Sequence, residues 1–556
     1  MMKMRTAFVV CVLALITTLN VFGCASSRRF VPPPQVPDDR AHIPVCPKEI
    51  EAHIMWDGFK RQMIQPGADL LDFSRWLRKA TGNSKEAYNL NAFDEIENSS
   101  WFTNRNVVSP LSLNSIAKGP NTVDGPDQSN GWTIVRAKTL GITPGFNIKD
   151  SRGDTYVIKL DPPGFNGLNS GAEVVTTKLL YAAGYNVPEN FAVTFDPSIL
   201  SIGENVKFTG ADGANRTMTE QDLADILSKV ELTPDGKIRA IASKYISGRP
   251  IGPFYFKGTR ADDPNDFIPH EHRRELRGLR VIFAWLGHYD TNSSNFLDGY
   301  VEESGVNYVR HYLIDFGAAM GSHPAGAKPA DRGSEPYMDP VHLLNKSLEL
   351  GMVCRPRDYQ SPVLSPLIGR FTSDNFHPKS FKFIFPTRAF EYYTPRDAYW
   401  GAKIVASFTE PQIRAAVQAA IYADQDVEDY LVRTLMERRD IVCRYWFSRV
   451  APLDHFKVTD DEITFGDLAV SAGLDSETAS SYRYRTFLNG RKVDDWQELG
   501  STRQITKSTL PRLKDTNAQL AIECQVRRSC GWSHSVVVYL EKRNESLAIV
   551  GIERDA

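Results

Sequence analysis

The sequence predicts an α+β fold in which a small β-rich lobe leads into a larger helical lobe, with a further β-rich domain at the C-terminal end. Three observations lead there. Between residues 132 and 160 three short runs alternate apolar and polar side chains across turn signals, and a helical stretch follows them. Residues 272–287 and 410–450 carry apolar positions at helical spacing. From about Phe456 the chain returns to short alternating runs such as Gln519–Cys524 and Ser535–Leu540, with no internal repeat. The expected limits are 86–250 for the small lobe, 251–455 for the large lobe and 456–556 for the β-rich domain, preceded by segments 1–23 and 24–85.

Residues 1–23 read as an export signal. Lys3 and Arg5 precede an apolar core from Ala7 to Phe22 that is too short for a spanning helix. The ending Val21-Phe22-Gly23-Cys24 resembles the lipobox of bacterial lipoproteins, the alternative being an ordinary secretory signal with an incidental cysteine. The resemblance implies cleavage before Cys24, a lipid on its thiol and a membrane partner. Ala25-Ser26 in place of Asp further implies the bacterial cell envelope, with the chain on the outer membrane facing the periplasm. Acidic and basic residues are nearly balanced, 67 against 65, so no large nucleic-acid surface is expected. Of seven cysteines, Cys11 leaves with the signal and Cys24 is the lipidation candidate. Cys46, Cys354, Cys443, Cys524 and Cys530 lack C-x-x-C spacing, so no zinc site is expected. Cys524 and Cys530 can pair in an oxidising compartment or stay buried and free.

Residues 25–48, with Val31-Pro32-Pro33-Pro34-Gln35-Val36-Pro37, read as an extended tether with little to bury. Residues 49–80 place Ile54, Met55, Phe59 and Met63, then Leu70, Leu71, Phe73, Trp76 and Leu77, in two short helices broken at Pro66-Gly67. Both are expected to pack on the main body. Trp101-Phe102, flanked by Asn and Arg, reads as a packing plug before a binding surface.

Strands are expected over 132–138, 146–149 and 155–159, the last two joined by the hairpin signal 150–154. The turn between the first two holds Gly141 and Gly145, candidate nucleotide-binding glycines that do not form a G-x-G-x-x-G loop. Lys159 ends an alternating strand, and Glu173, on a helix from Ser170 to Ala183, can reach back to it. The plain alternative is an edge lysine and a first-turn glutamate favoured by the helix dipole. After a strand over 191–195, Thr219 can cap a helix carrying Leu223, Ile226 and Leu227. The strand Ile241–Ile246 then leads to a hinge over 247–253.

The chemistry concentrates between Phe283 and Met320. His288-Tyr289-Asp290 followed by Asn295 is an H-x-D-x-x-x-x-N pattern, and Asp315-Phe316-Gly317 follows the apolar run Tyr312-Leu313-Ile314. An Asp opening a loop can take the proton of an attacking hydroxyl, and an Asn five residues later can turn its amide oxygen to a magnesium ion. A strand ending in Asp supplies a second hard oxygen ligand, and the glycine lets the chain turn away. The helix over 272–287, apolar at Leu276, Leu279, Ile282, Phe283 and Leu286, presents this loop. Its Arg273, Arg274, Arg277 and Arg280 read as a solvated or salt-bridged face before an anion-binding one. The Gly-, Ala- and Pro-rich stretch 318–339 reads as a mobile segment beside the site, with Ser334-Glu335-Pro336 a poor counterpart of A-P-E.

In this order, Lys159, Glu173, hinge, H-x-D-x-x-x-x-N and Asp-Phe-Gly resemble the protein-kinase-like superfamily over about residues 130–450. The divergent loops look closest to its HipA-type and phosphoinositide-kinase-like branches. The resemblance implies a bilobal kinase-like fold and a phosphotransferase using ATP or another nucleoside triphosphate with Mg²⁺ on an unidentified hydroxyl substrate. Lys159 would bind phosphate, Glu173 would orient it, Asp290 would act as base, Asn295 and Asp315 would hold magnesium, and adenine would sit against the hinge backbone. Asn292 stands where protein-serine kinases often have lysine. A pseudokinase that binds without turnover, and a nucleotidyl transferase working with the same residues, are the rival functions.

Overall fold

The computed structural model describes residues 29–65, 68, 72–81, 84–137, 145–209, 215–334, 362–513, 515, 517–529, 531–544 and 546–556. The export signal with Cys24, the residues Gly141, Cys354 and Cys530, and the Glu335-Pro336 pair lie outside them. The described chain is mixed α and β and divides into two compact units. The larger comprises 35–90 and 95–449, the smaller 91–94 and 450–556 with the described residues up to 34.

In the larger unit, one sheet is built from β1 (Trp132–Ala137), β2 (Gly145–Lys149), β3 (Thr155–Leu160), β4 (Asn190–Phe195) and β5 (Leu200–Ile202). After a small hairpin of β6 (Lys207–Thr209) and β7 (Asn215–Thr217), β8 (Ile238–Lys244) completes it. The spatial order is β4-β8-β3-β2-β1-β5, antiparallel except for the β1–β5 pair. The period of two along β3 sends Tyr156, Ile158 and Leu160 into one core and leaves Lys159 on the opposite face. The insertion between β4 and β8 closes that core, with Val206, Met218 and Leu223 inside it and Ile226 and Leu227 packed against it. Its helix, Glu220–Leu227, starts at Thr219 as expected, in a capping box with Asp222.

The helix opposite this core runs from Leu168 to Ala183, two residues earlier than expected, so Glu173 stands in its second turn. Nearly every residue in it is buried, because it packs against β4 and β8 on one side and the Glu410–Gln418 helix on the other. It stops at Gly184, whose φ is 125° and where a Cβ would stand 2.3 Å from the Phe102 ring. Phe102 and Trp101 are both buried, the latter stacked on His311 at 3.5 Å, so this pair packs and does not form a binding surface.

The helix Arg274–Leu286 is buried along its whole length. Its arginines are neither solvated nor turned to a ligand. Arg274 Nε and Arg277 Nη1 share the buried carboxylate of Asp397, at 3.1 and 3.0 Å, and Arg280 donates to the carbonyls of Pro378 and Lys379. Asp397 also closes the capping box of the Pro395–Ala406 helix with Thr394. The two helices approach at glycines: a Cβ on Gly278 would stand 2.5 Å from the Trp400 ring, and one on Gly401 2.7 Å from the Gly278 carbonyl oxygen. The Gln425–Phe447 helix, present as expected, sends Arg438 to the carbonyls of Ala284 and Trp285, where a cation matches the negative end of the helix.

The N-terminal expectations need correction. The helix Ile54–Phe59, continued as a π turn over Lys60–Ile64, and the helix Phe73–Thr81 form, but Met55, Trp56, Phe59, Met63, Phe73 and Leu77 are exposed. The buried face of the first is polar: Arg61 and Gln62 donate to backbone carbonyls of Thr291 and Ile384, and Asp57 pairs with Arg61 at 2.9 Å. Hydrogen bonding, not apolar burial, attaches it. Nor is the preceding stretch a tether with nothing to bury, since Ile43 packs with Ile251 and Val309. No helix among the described residues is long and apolar enough to cross a membrane.

The smaller unit has a seven-stranded sheet, ordered through Arg491–Lys492, Ser481–Leu488, Gln519–Arg528, Val536–Arg543 and Ser546–Arg554. A three-stranded sheet of Leu453–Val458, Glu462–Asp467 and Gln504–Thr506 shares its core, through Leu453, Ile463 and Ile505 against Leu520, Ile522 and Val538. Cys524 is a free, buried thiol within this core. Phe30 is buried here too, stacked on Tyr539 at 5.0 Å.

Removing Asp397 leaves two buried guanidinium groups without their shared counter-charge and uncaps a helix. Asp397→Ala is expected to cost about 3–5 kcal/mol, read by urea unfolding followed through tryptophan fluorescence. A loss under about 1 kcal/mol, the value of an exposed pair, would show that the buried cluster does not hold these helices.

Candidate active site

Two loops meet because a hairpin lies between them. β10 (Phe296–Glu303) and β11 (Val306–Leu313), which follow the two-residue β9 (Arg249–Pro250), pair in unbroken antiparallel register from Phe296↔Leu313 to Glu303↔Val306. Their turn, Ser304-Gly305, has φ of 53° and 79°, as a tight hairpin turn demands. Asn295 and Ile314 therefore flank the open end, and the Ile314 N–H donates to the Asn295 carbonyl at 2.9 Å. This register brings the H-x-D-x-x-x-x-N loop beside Asp315.

The loop begins where the Arg274–Leu286 helix is stopped by Gly287 in the left-handed region, φ 65°. His288 is buried, with its ring edge-on to Phe283 and Phe316. Burial pulls its pKa down to about 4, so it packs as a neutral ring and carries no charge in the site at neutral pH. Asp290 accepts the Asn292 N–H on Oδ1 at 3.0 Å. Asn292 in turn caps the short turn Ser293–Asn295, which gives it a structural duty in place of the lysine's role. The Asn295 amide donates to the Asp290 carbonyl at 3.4 Å, leaving its oxygen near the Ser294 hydroxyl. Burial and then the Asp315 charge push the Asp290 carboxyl up to about 6, against the pull of its hydrogen bonds and of Arg61.

Asp315 is half exposed and holds φ at 60°, a left-handed conformation that Asp tolerates better than most residues. Its Oδ1 lies 3.0 Å from Lys159 Nζ, which also sits 2.9 and 3.1 Å from the two carboxylate oxygens of Glu173. Burial works against the Lys159 ammonium, but the Asp315 and Glu173 carboxylates outweigh it and raise its pKa above the ordinary lysine value. The structure thus brings Lys159, Glu173 and Asp315 into one ion cluster. Glu173 is 2% exposed, whereas half of the Asp315 side chain is open to solvent.

Gly145 opens β2 across from Lys159 in the β2–β3 register. A Cβ there would stand 2.1 Å from the Ile158 carbonyl oxygen, so backbone approach alone requires glycine. The hinge differs from expectation. Arg249 and Pro250 pair with β10, and the Ile251 N–H donates to the Asp298 carbonyl at 2.9 Å, so this part of 247–253 has its backbone bonded within the protein. The segment after Gly317 also differs: Ala318–Ser322 is buried, and the Ser322 hydroxyl donates to Asn169 on the Glu173 helix.

Two positioning residues escaped the sequence reading. Asp161, two residues after Lys159, accepts the N–H groups of Gly167 and Ser170 and the Ser170 hydroxyl, which locks the Glu173 helix to the end of β3. An Asp before a Gly-rich linker and a Ser was a legible capping signal. Arg61 donates to the Thr291 carbonyl at 2.6 Å inside the Asp290 loop, and nothing in the sequence linked that helix to a loop 230 residues away. Among the described residues no cluster of three His, Cys, Asp or Glu side chains stands ready for a metal ion. Asn295 and Asp315 offer two hard oxygen donors, which suits magnesium when phosphate oxygens complete its shell.

No family model and no curated protein matches the sequence. Among solved structures the chain is similar to a Helicobacter pylori proinflammatory kinase, CtkA, at 13% identity over 58% of this chain and 98% of that one, with a TM-score of 0.31. It is also similar to the Golgi casein kinase with Mn/ADP bound, at 13% identity over 60% and 89% with a TM-score of 0.23. A further structure of the Golgi casein kinase gives 10% identity over 74% and 96%, with a TM-score of 0.28. These structural neighbours are kinases.

Proposed function

We propose that this chain is a kinase-like phosphotransferase. It moves the γ-phosphoryl group of a magnesium-bound nucleoside triphosphate, ATP or another, to a hydroxyl of a protein or small molecule. The observation that carries this reading is the Lys159 ammonium held at 2.9 Å from Glu173 and 3.0 Å from Asp315, the residue after Ile314, whose N–H donates to the Asn295 carbonyl at the end of the Asp290 loop. A buried lysine fixed by a carboxylate from below is suited to meet phosphate oxygens from above. Magnesium held by Asn295 and Asp315 would neutralise charge on the β and γ phosphates. The envelope setting, with Cys24 as lipid anchor, rests on residues 3–26 of the sequence.

In this mechanism the acceptor oxygen forms a bond to the γ phosphorus as the bond from phosphorus to the β–γ bridging oxygen breaks. The leaving nucleoside diphosphate keeps that electron pair. The hydroxyl proton passes to the Asp290 carboxylate, whose pKa of about 6 leaves it ionised at neutral pH yet a better base than an ordinary aspartate. Glu173 holds the Lys159 ammonium in place, and Asp161 holds the helix that carries Glu173. The neutral His288 ring keeps the Asp290 loop packed against Phe316.

Two experiments follow. Mg-ATP at about a hundred times its dissociation constant should add roughly 2.7 kcal/mol to stability and raise the thermal midpoint by several degrees. Asp315→Asn should lose the magnesium-dependent part of that shift, and an unchanged shift would remove Asp315 from the metal site. The mass of the modified acceptor separates phosphate addition from addition of a nucleoside monophosphate.

The second concerns pH. Transfer should fall as pH drops through about 6, when Asp290 takes a proton and can no longer act as base. Asp290→Asn should lower the rate by roughly 10²–10⁴-fold. The native carboxyl binds its proton more tightly than the unfolded one, so its ionisation opposes folding above its unfolded pKa. The variant should therefore unfold at pH 7 at the same or a higher temperature than the parent. A clear drop in its midpoint would assign Asp290 a structural role instead.

A further inference from the structure

A cavity of about 140 Å³ opens beside the Asp290 loop, between the N-terminal helices and the chain that follows the hinge. It falls below the several hundred Å³ typical of a cleft for a whole ligand, so it suits one small group and not a nucleotide. Its cations are Lys60, Arg61, Lys257 and Arg388, and its one carboxylate is that of Asp57. Asp57 is matched by Arg61 at 2.9 Å and Arg388 by Glu391 at 3.0 Å. Lys60 and Lys257 are exposed and have no ion-pair partner among the described residues. The cavity therefore carries a positive excess.

Two buried donors sharpen the point. Ser293 is 3% exposed and lines the cavity, yet its hydroxyl has no hydrogen-bond partner among the described residues. The same holds for Arg61 Nε, although the rest of that guanidinium is bonded to Asp57 and Thr291. A buried, unsatisfied donor costs about 1–3 kcal/mol, which an acceptor group from a ligand would recover. The other lining includes Gln65, Tyr255 and an aromatic wall of Phe254, Phe256 and Phe296, in which Phe256 meets Phe296 edge to face and Phe254 meets it tilted. Donors and cations over an aromatic wall suit an oxyanion and exclude a cationic group.

Ser293 stands on the same loop as Asp290, three residues on, and Arg61 donates into that loop at Thr291. We propose that this cavity anchors the acceptor of the transfer reaction by an oxyanion, a phosphate or a carboxylate, and so presents its hydroxyl to Asp290. This rests on the phosphotransferase reading. It selects hydroxyl acceptors that carry a negative group near the reacting oxygen, whether an acidic peptide side chain or a small phosphate ester.

Inorganic phosphate at constant ionic strength is the first probe, with the parent chain, Lys60→Glu/Lys257→Glu, and Lys159→Met compared by thermal unfolding. Phosphate should raise the midpoint by roughly 2 °C or more in the parent and in Lys159→Met, and should leave the double variant unmoved. The double variant should keep its Mg-ATP shift, which also certifies its fold; Lys60→Gln/Lys257→Gln serves if the reversal unfolds it. No phosphate shift in the parent, or one retained in the double variant, overturns the proposal. A shift lost in Lys159→Met also overturns it, because the anion then sits in the nucleotide cleft. Loss of the Mg-ATP shift alone in the parent rejects the phosphotransferase reading while the anion site stands. The second readout is transfer of label from Mg-ATP to two acceptor sets, hydroxyl peptides with acidic or neutral neighbours and small hydroxyl compounds with or without a phosphate. Labelling confined to anionic members of either set, and lost in the double variant, supports the proposal and names the source. Equal labelling of neutral members overturns it.

Discussion

The Lys159 ammonium is where three separate parts of the larger unit come together. Its strand, β3, belongs to the sheet; Glu173 comes from the helix packed on that sheet; and Asp315 comes from the loop after β11. Two of these groups, Lys159 and Glu173, are not tolerable alone in their setting. A carboxylate 2% exposed needs a counter-charge, and a lysine on a strand face beneath a helix needs one as well. The geometry of the site and the packing of the helix on the sheet are therefore one constraint, satisfied once. Asp161 makes that constraint stiff, because the residue that ends β3 also caps the helix.

The other side of the cleft is held by charges buried away from it. Arg438 binds the final carbonyls of the Arg274–Leu286 helix, and Asp397 ties the start of that helix to its neighbour. With both ends fixed, the helix can stop at Gly287 and release the Asp290 loop in one direction only. Arg61 then braces the loop from outside, at Thr291. Its positive charge opposes the rise in the Asp290 pKa that burial causes, so that carboxyl is set by opposed effects rather than by burial alone.

Much of this was legible in the sequence because its signals are local. Thr219 as a cap and the period of two around Lys159 each fix structure within a few residues. The two motif loops were legible from their residue patterns, whereas the hairpin that brings them together came only from the structure. What failed were readings in which the partner lies far along the chain. Apolar spacing at Met55, Phe59 and Met63 suggested a packed face, yet the helix turns Arg61 and Gln62 inward because their partners, Thr291 and Ile384, lie in distant loops. The arginines of the 274–286 helix were read as solvated or salt-bridged, and two of them are salt-bridged, but to a buried carboxylate, Asp397, more than a hundred residues away, which local spacing could not name. The hinge was read as open backbone, and β10, two loops later, takes part of it.

The Lys159–Asp315 contact has a further consequence for how the cleft works. Asp315 is the lysine partner through Oδ1, the atom within 3.0 Å of Nζ, and an ionised carboxylate has further lone pairs to offer a metal. Glu173 has no such choice, because it is enclosed and bound to Lys159 through both oxygens. Asp315 is half exposed and sits in a left-handed backbone conformation that costs energy to hold. On the proposed reading, triphosphate oxygens would replace Asp315 on the ammonium and magnesium would give the released carboxylate a new partner. Charge balance would be kept through that exchange, with the lysine never left without a counter-ion. The enclosed carboxylate is the fixed half of the pair and the exposed one the half free to change partners.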